Sequence, residues 1–411
     1  MKIAVLNQSY PPMISGAALF SGHLAEALAE RGHEVLVLAA SDQRRAYRQK
    51  CDNLTIQRFH SYPNPHRVEQ RFLLWPANEI KAALQDFAPE VIHLHEPFQM
   101  AYFARLYARQ RGVPCILTVH ALPTLLSALV PGMQNFQQAV EKSLWKYATL
   151  VSHQFDALVT PTETISEMVA ERTGVRPRVV SGGVDLRIFH PAPLRSQMAT
   201  RVREELGIRE GAQIILHVGR LDAGKNVQVI IRAAGLTIRE SPKDVHLLCV
   251  GDGCERPNLV KLAQELGIAD NCHFPGYIAD PDRLAAIYGI ADLFCMASEI
   301  ETQGLVLLEA TACGLPLVAV KATSMHEIVH DGVNGFLVPA GEVRSMAEAM
   351  TAILRDPGLA KKMGLASRQA SFAHDFNLTV DAYEEIYLTT IKDRAAQKTG
   401  NKALANQAVV G

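Results

Sequence analysis

The chain lacks the features that several functional classes require. Its cysteines, Cys51, Cys115, Cys249, Cys254, Cys272, Cys295 and Cys313, are odd in number, and no two stand at a Cys-x-x-Cys spacing. Most lie in apolar runs such as Leu247-Leu248-Cys249-Val250. Buried, reduced thiols are therefore expected rather than disulfides or a zinc centre. No G-x-G-x-x-G occurs; the run after Val250 is Gly-Asp-Gly-Cys-Glu-Arg, which argues against a nicotinamide dehydrogenase. An excess of one charge is also missing. Lys plus Arg total 41 and Asp plus Glu 42, which excludes a strongly basic nucleic-acid binder and an acidic solvating chain. The N-terminal apolar run, Ile3 to Leu6, is too short for a secretory signal. From Val113 to Val140 there is no Asp, Glu, Lys or Arg, but Pro114, His120, Pro123, Pro131, Gly132 and Gln134 interrupt the segment. A spanning helix needs about 20 predominantly apolar residues, so a buried strand followed by an apolar loop is expected here. The expectation is a soluble, cytoplasmic chain of two to three domains at roughly 150 residues each.

What is present is an alternation of apolar strands and amphipathic helices. Ile3–Leu6, Val35–Leu38, Val91–Leu94, Cys115–Val119 and Ala157–Thr160 read as buried strands. The first helix carries Phe20, Leu24, Ala27 and Leu28 at helical spacing and stops at Gly32. The rhythm pauses at residues 190 to 200 and restarts with Ile214–Val218, a helix from Val227, and the strands Val245–Val250, Asp292–Met296 and Pro316–Val320. Continuous apolar strands alternating with helices indicate parallel sheets covered on both faces. The expected fold is α/β, with two doubly wound, Rossmann-like domains facing across a cleft. Their expected extents are residues 1–190 and 201–376. A helix over about 377–393, with Tyr383, Ile386, Tyr387 and Ile391 on one face, would pack back on the first domain. Residues 397–411 read as a disordered tail. Ligands of open α/β sheets bind at the carboxyl ends of the strands, so the loops there are the candidates for function.

Three of those loops carry suggestive chemistry. The first, Ser9 to Gly16, delivers a glycine to a helix start, where free amides favour an anion. Alone this is ordinary turn chemistry. The second, Gly219-Arg220-Leu221-Asp222-Ala223-Gly224-Lys225-Asn226, sets two cations on a tight turn, a planar fork and a point charge suited to a diphosphate. The third runs from Ser298 to Ala310 and contains Glu301 and Glu309 separated by seven residues. Glu309 lies in an apolar helix beginning near Gly304, where a buried carboxylate needs donors that sugar hydroxyls can supply. The start of that helix offers free amides to a phosphate between the acids. His120 ends a strand and is a candidate for the cleft. His93 and His95 share a strand face, but no third ligand at a suitable spacing is evident, so no metal site is expected.

In order and spacing these segments resemble the retaining glycosyltransferases of family 4, which have the GT-B architecture. The resemblance covers roughly residues 1 to 390. It rests on Tyr-Pro-Pro-x3-Gly before the first helix, Gly-His-Glu-Val after it, and Val-Ile-His-Leu-His-Glu-Pro. It continues with Ser-Gly-Gly-Val-Asp at 181–185, Gly-Arg-Leu-x3-Lys-Asn, the Glu-x7-Glu segment and Glu-Ile-Val-x-Asp-Gly-x-x-Gly at 327–335. It implies a nucleotide-sugar donor, a UDP- or GDP-hexose, held mainly by the second domain. Arg220 and Lys225 would bind its diphosphate, and Glu309 the ribose. Glu301 would hold a hydroxyl of the transferred sugar. The amides near Gly304, Leu305 and Val306 would face the phosphates, and Ile278 would lie beside the base. Gly16 and His120 would reach across from the first domain, His120 touching the sugar. It implies no metal and no cofactor. Three positions depart from the family pattern: Ala17 follows Gly16 in place of a second glycine, Gly224 stands where an acid usually precedes the lysine, and Thr302-Gln303 replaces Gly-Phe.

Glu-Thr-Gln-Gly at 301–304 resembles the branch that glycosylates membrane lipids such as diacylglycerol. Charge is split as well. Residues 1–200 carry 20 Lys/Arg against 16 Asp/Glu, and the remaining 211 carry 21 against 26. The basic half is the acceptor side. The run Arg44 to Lys50 and the apolar loop Leu122 to Val130 are expected to meet an anionic membrane surface on its cytoplasmic side. A soluble or polysaccharide acceptor is the alternative. A nucleotide-sugar epimerase or hydrolase, or an inactive nucleotide-sugar binding module, would belong to another class. The Glu-x7-Glu segment speaks against the epimerase or hydrolase, and the intact Arg220, Lys225, Glu301 and Glu309 set against the inactive module.

Overall fold

The computed structural model describes residues 1–64, 67–124, 134–191 and 197–410. The chain forms two compact units, Met1–Val180 with Thr379–Gly411, and Ser181–Leu378.

The first unit contains β1 (Lys2–Leu6), α1 (Gly16–Glu30), β2 (Glu34–Ala40), β3 (Tyr47–Cys51), β4 (Leu54–Phe59), β5 (Ser61–Asn64), β6 (Arg67–Leu73) and α2 (Ala77–Phe87). These are followed by β7 (Val91–Leu94), α3 (Gln99–Arg111), β8 (Cys115–Thr118), α4 (Gln134–Ser152), β9 (Ala157–Thr160), α5 (Glu163–Thr173) and β10 (Arg178–Val179). The strand order in its sheet is β10-β9-β8-β7-β1-β2-β4-β3, and β5 pairs separately with β6. Pairing is parallel throughout the large sheet except at β3, which lies antiparallel to β4 on the edge. The apolar runs read from the sequence are the buried central strands. The polar segment Arg44 to Lys50 is in part strand β3, whose residues Arg48 to Cys51 are exposed. Its side chains gave no period-2 signal because an edge strand has little to bury.

Chain order reverses between β1 and β7, and the loops leaving them are tied together. The Glu96 carboxylate after β7 accepts from the Gln8 backbone N–H at 3.2 Å. Burial pushes its pKa up, and hydrogen bonds from Ser9 and Gln8 pull against that. Arg58, nearly buried, donates to the carbonyls of Ala40 and Pro11 and lies between the rings of Tyr10 and Tyr47. Ser15 caps α1 by accepting from the Ala18 N–H, so Gly16 is held at the helix start.

The second unit contains α6 (Gln197–Leu206), β11 (Gln213–Val218), α7 (Val227–Glu240), β12 (Val245–Val250), α8 (Arg256–Glu265), β13 (Cys272–Gly276) and α9 (Pro281–Ile290). Then come β14 (Leu293–Met296), α10 (Leu305–Ala312), β15 (Leu317–Val320), β16 (Gly335–Val338), α11 (Val343–Arg355) and α12 (Pro357–Ser371). Its six parallel strands run β13-β12-β11-β14-β15-β16, the 3-2-1-4-5-6 order of a dinucleotide-type sheet. Ile214, Leu216 and Val218 enter one core and Ile215 the other, the alternation of a strand buried on both faces. The units divide after Val180 rather than near 190, because Val184 and Phe189 already sit in the core of the second unit.

The last helix, α13 (Phe376–Val410), belongs from Thr379 onward to the first unit. Tyr383, Ile386 and Tyr387 are buried there. Tyr383 shares a hydrogen bond with Thr118 at 2.9 Å, and Tyr387 meets His93 at 2.7 Å. The backbone stays helical through residues 397–410, where the sequence suggested disorder. Those residues are rich in good helix formers and free of proline, so nothing stops the helix. All seven cysteines are free; Cys51 and Cys254 are exposed, against the expectation of general burial.

Gly251 ends β12 with φ +133°, and a Cβ there would stand 1.9 Å from the Gly219 carbonyl oxygen. Gly251→Ala should lower the stability of the second unit by about 1–3 kcal/mol. Differential scanning calorimetry should show the loss in one transition, leaving that of the first unit in place.

Candidate active site

In the second unit, chain order reverses between β11 and β14, so the loops leaving these adjacent strands enclose the switch point. After β11 the chain makes one tight turn, Ala223–Lys225. Asp222 starts that turn and pairs with Arg220 at 2.9 Å. Asn226 closes it at φ +51°, a left-handed conformation that asparagine tolerates. The Asn226 side chain donates to Glu299 at 3.0 Å, and the Ser298 hydroxyl donates to the Gly224 carbonyl at 3.4 Å. These bonds tie the β11 loop to the β14 loop. Between them the Lys225 ammonium donates to Glu301 in a close ion pair. The Ser324 hydroxyl after β15 holds the same loop through the carbonyls of Glu301 and Thr302, each at 3.0 Å.

Gly304 then turns the chain into α10 at φ +81°, the left-handed region open to glycine. The N-cap residue, Gly304, has no side chain with which to cap the helix, and Gly304, Leu305 and Val306 are partly exposed. Backbone amides at a helix start favour an anion. One turn in, Glu309 accepts from the Tyr288 hydroxyl at 2.7 Å. Burial raises its pKa to about 7, against the lowering effect of the Tyr288 bond. An acid that is half charged at neutrality needs further donors to hold its negative form. Ile278 follows β13 and packs partly buried against the adjacent core. The structure therefore brings Arg220, Lys225, Glu301, Glu309 and the Gly304–Val306 amides to the loops around one switch point.

The model for glycosyl transferases group 1 matches residues 198–370, and that for glycosyltransferase family 4 matches residues 14–188. A D-inositol 3-phosphate glycosyltransferase of Kribbella flavida is 30% identical over 78% of this chain and 79% of its own. The chain belongs to glycosyltransferase family 4. An alpha-monoglucosyldiacylglycerol synthase of Streptococcus pneumoniae is 26% identical, over 97% of this chain and 88% of its own. Among solved structures, Anabaena HepE in complex with UDP-glucose superposes with a TM-score of 0.71 at 20% identity, covering 97% of this chain and all of that one. The fold is GT-B. The enzyme is a retaining hexosyltransferase of this family and transfers a sugar from a nucleotide-sugar.

The other two residues singled out from sequence in this family 4 enzyme belong to the first unit. Gly16 starts α1, and a Cβ there would meet nothing within 4 Å. His120 follows β8 and meets the buried His95 at 2.8 Å, with Phe20 packed on its ring. Burial lowers the His120 pKa to about 4, so the ring is neutral at physiological pH. His93 is hydrogen-bonded to Tyr387 and Thr118 and lies in the core. Among the described residues no group of three or more His, Cys, Asp or Glu is disposed to hold a metal.

Sequence reasoning missed three supporting residues. Gln303 is buried, accepts from the Gly182 N–H at 2.7 Å and donates to the Ser181 hydroxyl at 2.9 Å. It ties the Ser-Gly-Gly-Val-Asp segment to the acidic loop, a bond that the usual phenylalanine cannot make. Tyr288 sits on α9 and was legible only as a core aromatic. His217, on β11, is buried and directs Nδ1 at the Cys295 carbonyl at 3.0 Å. Because a carbonyl only accepts, Nδ1 carries the proton and Nε2 is a bare acceptor beside Gly219, with no hydrogen-bond partner among the described residues. Its only sequence signal was a polar residue in an apolar strand.

If ribose hydroxyls donate to Glu309, as the resemblance implies, they bind best to its carboxylate form. Below about pH 7 the acid must first lose a proton, so nucleoside diphosphate affinity should weaken by up to about tenfold per pH unit. Tyr277, Tyr288 and Cys313 also feel this charge, but burial raises the pKa of each, so they stay neutral in that range. Titration calorimetry of the wild type and Glu309→Gln should show the dependence flattened in the variant. The difference between the two separates Glu309 from titration of the phosphate itself.

Proposed function

We propose that this glycosyltransferase moves a hexose to a membrane lipid of the diacylglycerol type, with the donor held by the second unit in the roles that the resemblance implies. Arg220 and Lys225 take the diphosphate together with the Gly304–Val306 amides. Glu309 takes the ribose, Ile278 lines the base, and Glu301 orients a hydroxyl of the transferred sugar. By the same resemblance, Gly16 and His120 would serve the sugar end. The observation that carries this reading is the Lys225–Glu301 ion pair beside a helix start led by a glycine. One loop thereby presents a cation for the leaving phosphate, and the other presents an acceptor for a sugar hydroxyl. The diacylglycerol-acting relative and the Glu-Thr-Gln-Gly sequence at 301–304 favour the lipid. The inositol phosphate-acting relative, with the higher identity, supports the second reading, a soluble acceptor.

Retention follows from attack on the face that the leaving group departs. The bond from the acceptor oxygen to the anomeric carbon forms as the bond to the diphosphate oxygen breaks. The acceptor's hydroxyl proton passes to the departing phosphate. Negative charge grows on that phosphate, so Lys225 acts more strongly in the transition state than in the bound donor. Glu301 is engaged by Lys225 and positions the sugar rather than attacking it. A glycosyl adduct on Glu301, detected by mass spectrometry of the intact protein, would overturn this step.

Lys225→Ala should lower turnover by roughly two orders of magnitude or more, the effect of losing about 2.7–4 kcal/mol of transition-state stabilisation. Donor binding should weaken much less. Transfer assays with UDP- and GDP-hexoses, against a lipid extract and against soluble sugars, test both the role and the acceptor. Wild-type turnover in the folded variant overturns the role of Lys225. Transfer to soluble sugars alone overturns the lipid.

A further inference from the structure

We infer that the outward faces of α3 and α4, with the Leu74–Trp75 corner beside them, form a docking surface for an anionic lipid bilayer. A helix on the surface of an α/β unit normally turns polar residues outward. On α3 the inward side is satisfied by Met100, Phe103, Ala104 and Tyr107, all buried. Its outward side carries Phe98, Tyr102 and Leu106 at intervals of four residues, and each is more than 40% exposed. Arg105 and Arg109 share that side by the same spacing.

The next helix repeats the pattern. On α4, Trp145 is buried on one side, while Phe136, Tyr147 and Leu150 stand out on the other. The two helices adjoin. The Tyr147 hydroxyl donates to the Pro97 carbonyl at 2.5 Å, one residue before Phe98. The Arg105 guanidinium lies over the Phe155 ring. At the other flank of α3, Trp75 packs its edge against Phe103 with centroids 5.0 Å apart. Even so, Leu74 and Trp75 are 70% and 69% exposed. Apolar side chains scattered singly over a surface mean little, but a run over adjoining elements of one unit marks an interaction site.

Charge selects the occupant. Between residues 98 and 150 the cations are Arg105, Arg109, Arg111, Lys142 and Lys146, and the sole acid is Glu141. That acid is turned to Thr124 and Trp145. A second copy meeting this face through a two-fold axis would set cations against cations. An anionic leaflet complements it. Exposed Trp, Tyr and Phe among Arg and Lys suit the boundary between headgroups and acyl chains. No helix among the described residues is long and apolar enough to cross a membrane, so the contact proposed is interfacial. The surface differs from the one expected from sequence. The Arg44–Lys50 run lies largely on edge strand β3, and most of the Leu122–Val130 loop falls outside the described residues. Phe98 opens this surface just beyond the carboxyl end of β7, the end of the sheet from which His95 and His120 also emerge. The inference deepens the lipid-acceptor reading and rests on it for its purpose.

The test is flotation with vesicles of phosphatidylcholine alone or mixed with phosphatidylglycerol. It uses the full chain and two double variants, Trp75→Ser with Leu150→Ser, and Arg109→Glu with Lys146→Glu. All four positions are exposed and none is a residue assigned to donor binding, and nucleoside diphosphate titration monitors the donor site. The wild type should bind the anionic vesicles and not the neutral ones. The apolar variant should bind about tenfold more weakly or worse. The charge variant should lose at least about fivefold for each cation removed. Both should keep donor binding, and both should keep transfer to an acceptor dispersed in detergent. If the wild type binds anionic vesicles but glycosylates only soluble acceptors, the docking surface stands and the lipid-acceptor reading fails. No binding by the wild type, or equal binding by wild type and variants, overturns the docking surface. So does a concentration-dependent dimer in analytical ultracentrifugation that the apolar variant abolishes.

Discussion

Two parallel strands leave their sheet side by side and their chains turn away in opposite directions; the candidate site of the second unit depends on that geometry. At the ends of β11 and β14 no crossover helix covers the sheet, and polar loop groups must satisfy one another or a ligand. Here they do so through Lys225 and Glu301, from loops separated by 76 residues of sequence. The pair keeps a cation and a carboxylate in place before any diphosphate arrives. Gln303, Ser324 and Asn226 then hold the backbone on either side of it. Preorganised charge of this kind is what a reaction with a departing diphosphate requires, because little reorganisation remains to be done as negative charge develops.

Glu309 adds a second constraint. Its helix is apolar on the other faces, and Tyr288 supplies one hydrogen bond where a carboxylate can accept several. Burial therefore leaves the acid poised between its two forms near neutrality. That leaves acceptor capacity on Glu309, as the ribose-binding role proposed for it needs. Burial separates His93 from His120 in the first unit. His93 has both ring nitrogens engaged by Tyr387 and Thr118 and is buried, whereas His120 is partly exposed at the end of its strand.

Much of this was legible in the chain. The strands Ile3–Leu6, Val91–Leu94 and Val245–Val250 are continuous apolar runs because both faces of a parallel sheet are covered. Arg220, Lys225, Glu301 and Glu309 stood out because charged residues right after, or inside, apolar elements need a reason. Strands β3 to β6 were not legible. Tyr47–Cys51 is polar and lies on an edge, and Ser61–Asn64 contains a proline, so neither carries the alternation that marks a half-buried strand. Gln303 stood out only as a departure from the family pattern; its contacts were not legible, since a glutamine in a loop looks alike whether it faces water or clamps Ser181 and Gly182.

The sequence by itself determined the α/β class, the rhythm of two sheets, and the loops that bear charge, because these depend on local periodicity and on residues adjacent to strand ends. Only the tertiary structure decided which groups meet: Lys225 with Glu301, Tyr288 with Glu309, Gln303 with Ser181. It also decided which apolar residues are left outside. On α4 Trp145 is buried, yet Phe136, Tyr147 and Leu150, equally apolar in the sequence, face outward. Periodicity identifies the sides of a helix. Which side is covered depends on what the rest of the chain packs against it, and that is a long-range fact.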